Sequence, residues 1–365
     1  MIKLLIIMTS PLDISGISNN LMNYYKYLDK SDMIIDFVAP NKVPERIKNR
    51  IIVNNGNIYE LRNRTKNPLL YFITLLKIIK RNNYNIVHAH GSSSTLALEM
   101  LAAKYAGTKI RIAHSRNTVA EHKIAHKLFK PFFNKSYTHG FACGKAAGEW
   151  LFKSDDFTII KNGNDIAKFT FNLESREFYR NKFNIEDKIV LGHIGHFNYQ
   201  KNHNFLINVF HNLTLKSSKY VLLLVGDGSL RLEIENKVKK LGIENSVIFT
   251  GKSLEVDRLI QAMDLLVFPS RYEGLPNVLI EAQISGLPCL VSNNITNEVN
   301  LTNLVQFMNL DLGVNAWVDY IINMKTIKRE ETSKNAVRKI IDQGYSIKDN
   351  SIELKKIYEN LISSV

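Results

Sequence analysis

Two cysteines in 365 residues, Cys143 and Cys289, are too few for a disulfide framework or a zinc ribbon. Both lie among apolar or small residues, so buried free thiols in a reducing cytoplasm are expected. No apolar run approaches the roughly 20 residues that a membrane-crossing helix needs. The longest, Leu69 to Ile79, is broken by Lys77. The opening Met1–Met8 is shorter than the apolar region of a secretory leader, and no small-residue cleavage site follows it. It reads as a buried first strand, which leaves the chain in the cytosol. No Asp-x-Asp motif follows a strand in the second half, and no short-period repeat appears. A content of 45% hydrophobic and 22% charged residues excludes disorder and collagen-like fibres, and the length suits two domains.

The charge is uneven. Lys and Arg number 48 against 34 Asp and Glu, a formal excess of +14. Residues 1–160 hold 23 basic and 11 acidic side chains, so +12 of the excess lies in that half. A basic face attracts nucleic acid, an anionic membrane surface or a phosphorylated substrate. No zinc spacing or aromatic RNP-like strand supports nucleic acid. The abundance of Ile, Lys and Asn also fits a genomic base bias.

Strand-like and helix-like segments alternate. In the first half, strands are expected at 3–8, 33–39, 86–90, 109–113, 141–143 and 157–160, with helices at 19–28, 67–81 and 93–105. Residues 164–188 are charged, lack strand alternation and read as a hinge. Strands are then expected at 189–194, 220–225, 246–250, 265–268 and 289–292. Helices are expected at 203–213, 230–241, 255–263, 277–284 and 349–362. Repeated strand–helix units imply parallel sheets with right-handed crossovers. The reading is an α/β protein of two doubly wound, Rossmann-like domains facing across a cleft. The first covers 1–168, with the last helix (349–365) packing back on it, and the second covers 169–348. Ligands in such sheets bind beyond the carboxyl ends of the strands, which is where the polar clusters fall.

The strongest cluster is Glu273-Gly274-Leu275-Pro276-Asn277-Val278-Leu279-Ile280-Glu281. Pro276 suits the first position of a helix. Gly274 lets the backbone approach a ligand. The N–H groups of Asn277 and Val278 then make an anion site. Two acids around such a helix start suit a sugar nucleotide: one holds sugar hydroxyls, the amides meet phosphate, and the other holds the ribose. The plain alternative is a surface helix with two solvated acids.

This Glu-x7-Glu stretch resembles the signature of family-4 glycosyltransferases, and other segments resemble the family in order. Residues Gly192 to His203 are similar to its phosphate loop. Leu224 to Leu230 resembles its glycine loop, Ile110 to Thr118 the N-domain loop of polysaccharide-making members, and Ile160 to Gly163 the interdomain stretch. The resemblance implies a GT-B fold and a retaining glycosyltransferase. Such an enzyme would move a hexose or N-acetylhexosamine from a nucleotide-diphosphate sugar, UDP first, to a lipid-linked saccharide in capsule or exopolysaccharide assembly.

The resemblance also implies residue roles. Lys201 would meet the donor phosphates, as a compact cation does. His196 stands where the family usually has Arg; it is shorter and gives no bidentate grip. Gly226 and Gly228 would lie under the nucleotide, and Lys252 beside the base. His114, Lys201 and Glu273 are the expected catalytic residues. His88, His90 and Arg116 are expected on the acceptor side. Gly16 matches the glycine loop after the first strand, with Ser15 where the first glycine usually stands. No metal or other cofactor is expected.

Residues 121–139 interleave Lys123, His126, Lys127, Lys130 and Lys135 with Leu128, Phe129, Phe132 and Phe133. Cations beside exposed aromatics suit an anionic membrane surface; the alternative is an apolar stripe turned into the core. The reading is a cytoplasmic protein peripheral to the membrane's cytoplasmic face. Two other readings stand beside transfer: a UDP-sugar epimerase of the same fold, and a basic nucleic-acid-binding protein.

Overall fold

The computed structural model describes all residues except 14–15, 118–121, 153–155 and 326, so Ser15, Thr118 and Glu121 lie outside it. The chain divides into two units: one holds Met1–Gly163 and Gly344–Val365, the other Asn164–Gln343.

The first unit carries strands β1 (Ile2–Met8), β2 (Met33–Ala39), β3 (Ile58–Glu60), β4 (Ile86–Gly91), β5 (Ile110–Ser115), β6 (His139–Ala142) and β7 (Thr158–Ile159). They form one parallel sheet of order β3-β2-β1-β4-β5-β6-β7. β1 is apolar almost throughout because helices cover both its faces, and all but Lys3 are buried. The helices are α1 (Gly16–Tyr27), α2 (Glu45–Ile52), α3 (Pro68–Asn82), α4 (Ala97–Tyr105), α5 (Lys123–Asn134) and α6 (Lys145–Leu151). α3 shows how local chemistry sets the bounds. The Asn67 side chain accepts the Leu70 N–H, Pro68 opens the helix, and Asn83 ends it in the left-handed region.

The second unit repeats the plan. Its helices are α7 (Ile166–Phe169), α8 (Leu173–Phe183), α9 (His203–Lys216), α10 (Arg231–Lys240), α11 (Val256–Ala262), α12 (Asn277–Ile284), α13 (Gly313–Asn323) and α14 (Arg329–Asp342). Strands β8 (Ile189–Ile194), β9 (Tyr220–Val225), β10 (Val247–Gly251), β11 (Leu265–Phe268), β12 (Cys289–Ser292) and β13 (Val305–Met308) pair in parallel, in the order β10-β9-β8-β11-β12-β13. In both sheets the winding reverses beside the first strand of the unit, between β1 and β4 and between β8 and β11. Doubly wound folds bind ligands at that position.

The charged stretch 164–188 is a correction: most of it is helical. α8 is capped by Asn172, and its Arg176 and Arg180 reach Asp264 at 2.5 and 3.1 Å. The arginines also donate to the carbonyls of Gln261, Met263, Ala262, Glu186 and Lys188, so they tie α8 into the second unit. The last helix, α15 (Ile347–Ser363), belongs to the first unit and packs on α1, with Tyr358 buried in the core.

α5 keeps Phe133 buried but exposes Ile124, Leu128 and Phe132 at 78, 66 and 59%, a stripe at four-residue spacing. The core therefore takes only part of its apolar face. No helix among the described residues is long and apolar enough to cross a membrane.

Candidate active site

In the second unit, the loops after β8 and β11 meet beyond the strand ends. The Arg271 N–H donates to Gln200 O (2.8 Å) and Gln200 Nε2 to Tyr272 O (3.0 Å). Asn202 donates to Pro269 O (3.2 Å) and accepts from Arg271 (3.0 Å). This clasp holds Lys201 against Glu273, with Nζ 2.5 Å from Oε1. Their side chains are only 14 and 9% exposed, and Nζ also lies 4.4 Å from the centre of the Phe268 ring. Glu273 is anchored by a bridge to Ile295.

α12 starts four residues later at Asn277, with Pro276 at the N-cap rather than the first helical position, and no side chain caps its first amides. Asn277 Oδ1 and Ser270 Oγ are buried without a hydrogen-bond partner. Buried polar atoms are rarely left without a partner. One cation, open helix amides and two unpartnered oxygens make a place for an anion with hydroxyls attached.

The loops after β8 and β9 touch. Gly226 has φ +140°, and a Cβ there would lie 2.0 Å from Gly195 O. A Cβ on Gly228 would lie 2.5 Å from Phe197 O and 2.9 Å from His196 Cε1. The exposed His196, in the loop after β8, therefore sits against the loop after β9. Lys252 is exposed, Gly274 is exposed and Leu275, Asn277 and Val278 are partly buried. Glu281 is partly buried; burial pushes its carboxyl up to about 7, against the pull of Lys168 and with a push from Asp257. A carboxyl raised this far can donate as well as accept.

The first unit gathers three histidines. His88 and His90 point to one face of β4, and His90 is paired in register with His114 on β5. Their rings stack, with His88 4.3 Å from His90 and 5.2 Å from His114. His88 Nε2 is 3.0 Å from His114 Nδ1, and His88 Nδ1 is 2.8 Å from the Tyr358 hydroxyl. Arg116 Nη1 lies 3.3 Å from His114 Nε2, while Nη2 donates to Asn20 Oδ1 at 2.7 Å. They line a small cavity with Asn20 and Tyr24, with an open centre of about 20 Å³.

Ring nitrogens of the three histidines fall within 4.8 Å of one another. His88 Nε2 and His114 Nδ1 face each other at 3.0 Å rather than a common point. Both His88 nitrogens are also engaged, so the cluster does not fit a tetrahedral ion as it stands. Gly16 opens α1, with free space where a Cβ would stand.

Burial keeps all these imidazoles neutral. It holds His88 at about 3, with Arg116 adding to the effect, and His90 and His114 well below the ordinary value. In the second unit, burial lowers His193 to about 4 and His203 to about 2. The native values are depressed while the unfolded chain titrates near 6.5. Above that pH neither state binds these protons, so stability is full. Below it the unfolded chain takes up protons that the native one refuses, at a cost of about 1.4 kcal/mol per pH unit for each histidine. Melting temperature should therefore be level from pH 8 to 7 and fall steeply between about 6.5 and 4. His203→Phe should shallow the fall, since both His203 nitrogens lack partners and the ring stacks on Phe197. A level profile down to pH 5 would contradict this.

The structure brings together Lys201, Glu273 and the start of α12 in one unit, and His88, His90, His114 and Arg116 in the other. Two contributors went unread in the sequence. Asn20 had a signal, since it lies one turn after Gly16 on the same helix face. Tyr358 had none, because only the packing of α15 brings it to His88.

The chain matches the family model "Glycosyl transferases group 1" over residues 175–337 and "Glycosyltransferase Family 4" over residues 14–168. EpsF of Bacillus subtilis (strain 168), named as a glycosyltransferase, is 30% identical over 359 residues, covering 94% of this chain and 93% of its own. An Escherichia coli enzyme named UDP-Gal:alpha-D-GlcNAc-diphosphoundecaprenol alpha-1,3-galactosyltransferase is 26% identical, covering 80% of this chain and 79% of its own. The crystal structure of Anabaena HepE in complex with UDP and glucose superposes with a TM-score of 0.79 at 17% identity, over 100% of both chains. With a relative this similar across nearly its whole length and both family models matched in chain order, the chain belongs to glycosyltransferase family 4, and it is a glycosyltransferase of the GT-B fold.

Proposed function

We propose that the protein is a retaining glycosyltransferase that moves a hexose or N-acetylhexosamine from a UDP-sugar to a lipid-linked saccharide, in the assembly of a capsule or exopolysaccharide. The observation that carries this reading is the partly buried Lys201–Glu273 pair beside the uncapped start of α12. On this account the donor pyrophosphate takes Lys201 from Glu273 and lies against the amides of Asn277 and Val278. Glu273, released, accepts hydroxyls of the transferring sugar, and Glu281 holds the ribose. Gly226 and Gly228 run under the nucleotide, and the backbone near Lys252 meets the base. His196 reaches a phosphate oxygen.

In the first unit His114 is the proposed catalytic residue, and His88, His90 and Arg116 are the acceptor-side candidates. As the sugar–phosphate bond breaks, charge grows on the leaving diphosphate, and Lys201 and the helix amides stabilise it. The same phosphate oxygen takes the acceptor's proton as the new glycosidic bond forms on the face the leaving group vacates. Lys201 and the amides do what a divalent cation does elsewhere, so chelators should leave turnover unchanged. The names of the E. coli relative and of the HepE complex support UDP and a lipid-linked acceptor.

A thermal-shift screen of UDP- and GDP-sugars tests the donor, because a ligand that binds only the native state raises the melting point. UDP-sugars should raise it, and Lys201→Ala and Glu273→Ala should abolish the shift. No shift with any sugar nucleotide would end the reading. His196→Arg should tighten UDP binding roughly tenfold by adding a bidentate contact; a titration giving equal or weaker binding would count against His196 facing phosphate.

The account also seats α5 on the cytoplasmic face of an anionic membrane, with Ile124, Leu128 and Phe132 in the lipid boundary and Lys123 and Lys127 beside them. Replacing the three apolar residues with Ser should abolish sedimentation with phosphatidylglycerol vesicles at low salt; unchanged sedimentation would remove the membrane surface from the account.

A further inference from the structure

The hydrogen bonds around His114 run in one direction only. Arg116 has donors and no acceptor. Its Nη1, 3.3 Å from His114 Nε2, therefore requires a bare lone pair on that nitrogen. Burial keeps His114 neutral, so its one proton sits on Nδ1. That N–H donates to His88 Nε2 at 3.0 Å, which places the His88 proton on Nδ1. His88 Nδ1 in turn donates to the Tyr358 hydroxyl at 2.8 Å. The other end is fixed as firmly. Gly163 O can only accept, and it takes Asn20 Nδ2 at 3.3 Å, which turns Asn20 Oδ1 toward Arg116 Nη2 at 2.7 Å. A donor-only guanidinium and an acceptor-only carbonyl thus set every proton between Gly163 and Tyr358.

We propose that His88 and Tyr358 are positioning residues that hold His114 as its Nδ1–H tautomer, reserving the Nε2 lone pair for a hydroxyl of the bound saccharide. This deepens the proposed transfer reaction and rests on it. Arg116 occupies the lone pair in the free protein, and a sugar O–H replaces it in the complex. A phosphate or carboxylate oxygen placed on Nε2 itself would face a lone pair with a lone pair. The group recognised beside His114 is therefore a hydrogen-bond donor. Tyr358 comes from α15, so the C-terminal helix contributes to the site through two imidazoles and touches no ligand itself.

The test begins with the full chain, labelled with 15N-histidine and free of ligand. Long-range 1H–15N spectra separate protonated from bare ring nitrogens, and His88→Gln and His114→Gln assign the signals. His88 and His114 are expected with protonated Nδ1 and bare Nε2; a protonated Nε2 on His114 overturns the proposal without any activity assay. Tyr358→Phe, which keeps the buried ring, should draw the two His88 nitrogen signals together. It should lower kcat roughly three- to tenfold, the worth of one neutral hydrogen bond, with KM for the UDP-sugar within about twofold. That loss should vanish in a His114→Gln background, because Tyr358 acts only through His114. An equal loss in that background marks a structural role and overturns the positioning assignment. Correct tautomers in a protein that turns over no UDP-sugar would instead sink the transfer reading.

Discussion

Lys201→Met is expected to cut turnover by roughly 10²–10³-fold, the usual cost of removing one group aimed at charge that develops in the transition state. It is also expected to lower stability by about 3 kcal/mol, for a different reason. Glu273 is 9% exposed and has Lys201 at 2.5 Å; with the lysine gone, a carboxylate stays in a poorly solvated place without its partner. Loss of the cation over the Phe268 ring adds to the cost. The two effects separate in a double variant. Lys201→Met with Glu273→Gln removes both charges, so the melting temperature should return close to that of the parent while turnover stays low. Differential scanning calorimetry and coupled detection of released UDP read the two quantities. Turnover within threefold of the parent in Lys201→Met would mean that the lysine serves only the fold.

Gly226→Ala should be the most damaging single methyl group in the second unit. At φ +140° an L-residue is strained, and its Cβ would stand 2.0 Å from Gly195 O. The neighbours cannot yield easily, because Gly195 N donates to Val225 O at 2.9 Å and Gly226 N to Gly251 O at 3.0 Å. Those bonds fix the loops after β8, β9 and β10 to one another. The loss expected is about 3 kcal/mol, in the range of a strained backbone site. UDP binding should weaken as well, since Gly195 packs on the Lys201 stem: a Cβ there would lie 3.1 Å from Lys201 Cε. Gly242→Ala serves as the control, having positive φ (+66°) but nothing within 4 Å of the added carbon. Equal stability losses in the two variants would show that strain alone, without loop contact, sets the cost.

The parts of this protein legible in its sequence are those with local causes. Apolar runs such as Ile189–Ile194 announce buried parallel strands, and Asn67-Pro68 announces the start of α3. Glu273 and Pro276 mark a candidate ligand loop because an acid just before a helix start can be read from spacing alone. What stayed hidden has non-local causes. α8 reads as a charged linker until Asp264, 84 residues after Arg180, supplies the partner that its arginines need. β3 has three half-buried residues and too short a run to show a period. The stacking of His88, His90 and His114 needs the β4–β5 register, in which His90 and His114 stand side by side. For α5, helical spacing shows a stripe, but which residues the core takes depends on α4 and the loop after β4.

The central claim is that the second unit cradles a pyrophosphate between Lys201 and the start of α12. A crystal structure of the protein with UDP or a UDP-sugar tests it most directly. The account predicts diphosphate density within hydrogen-bonding distance of Lys201 Nζ and the Asn277 and Val278 amides, with Glu273 parted from the lysine. Well-defined nucleotide density anywhere else, with the Lys201–Glu273 pair still closed, would contradict it.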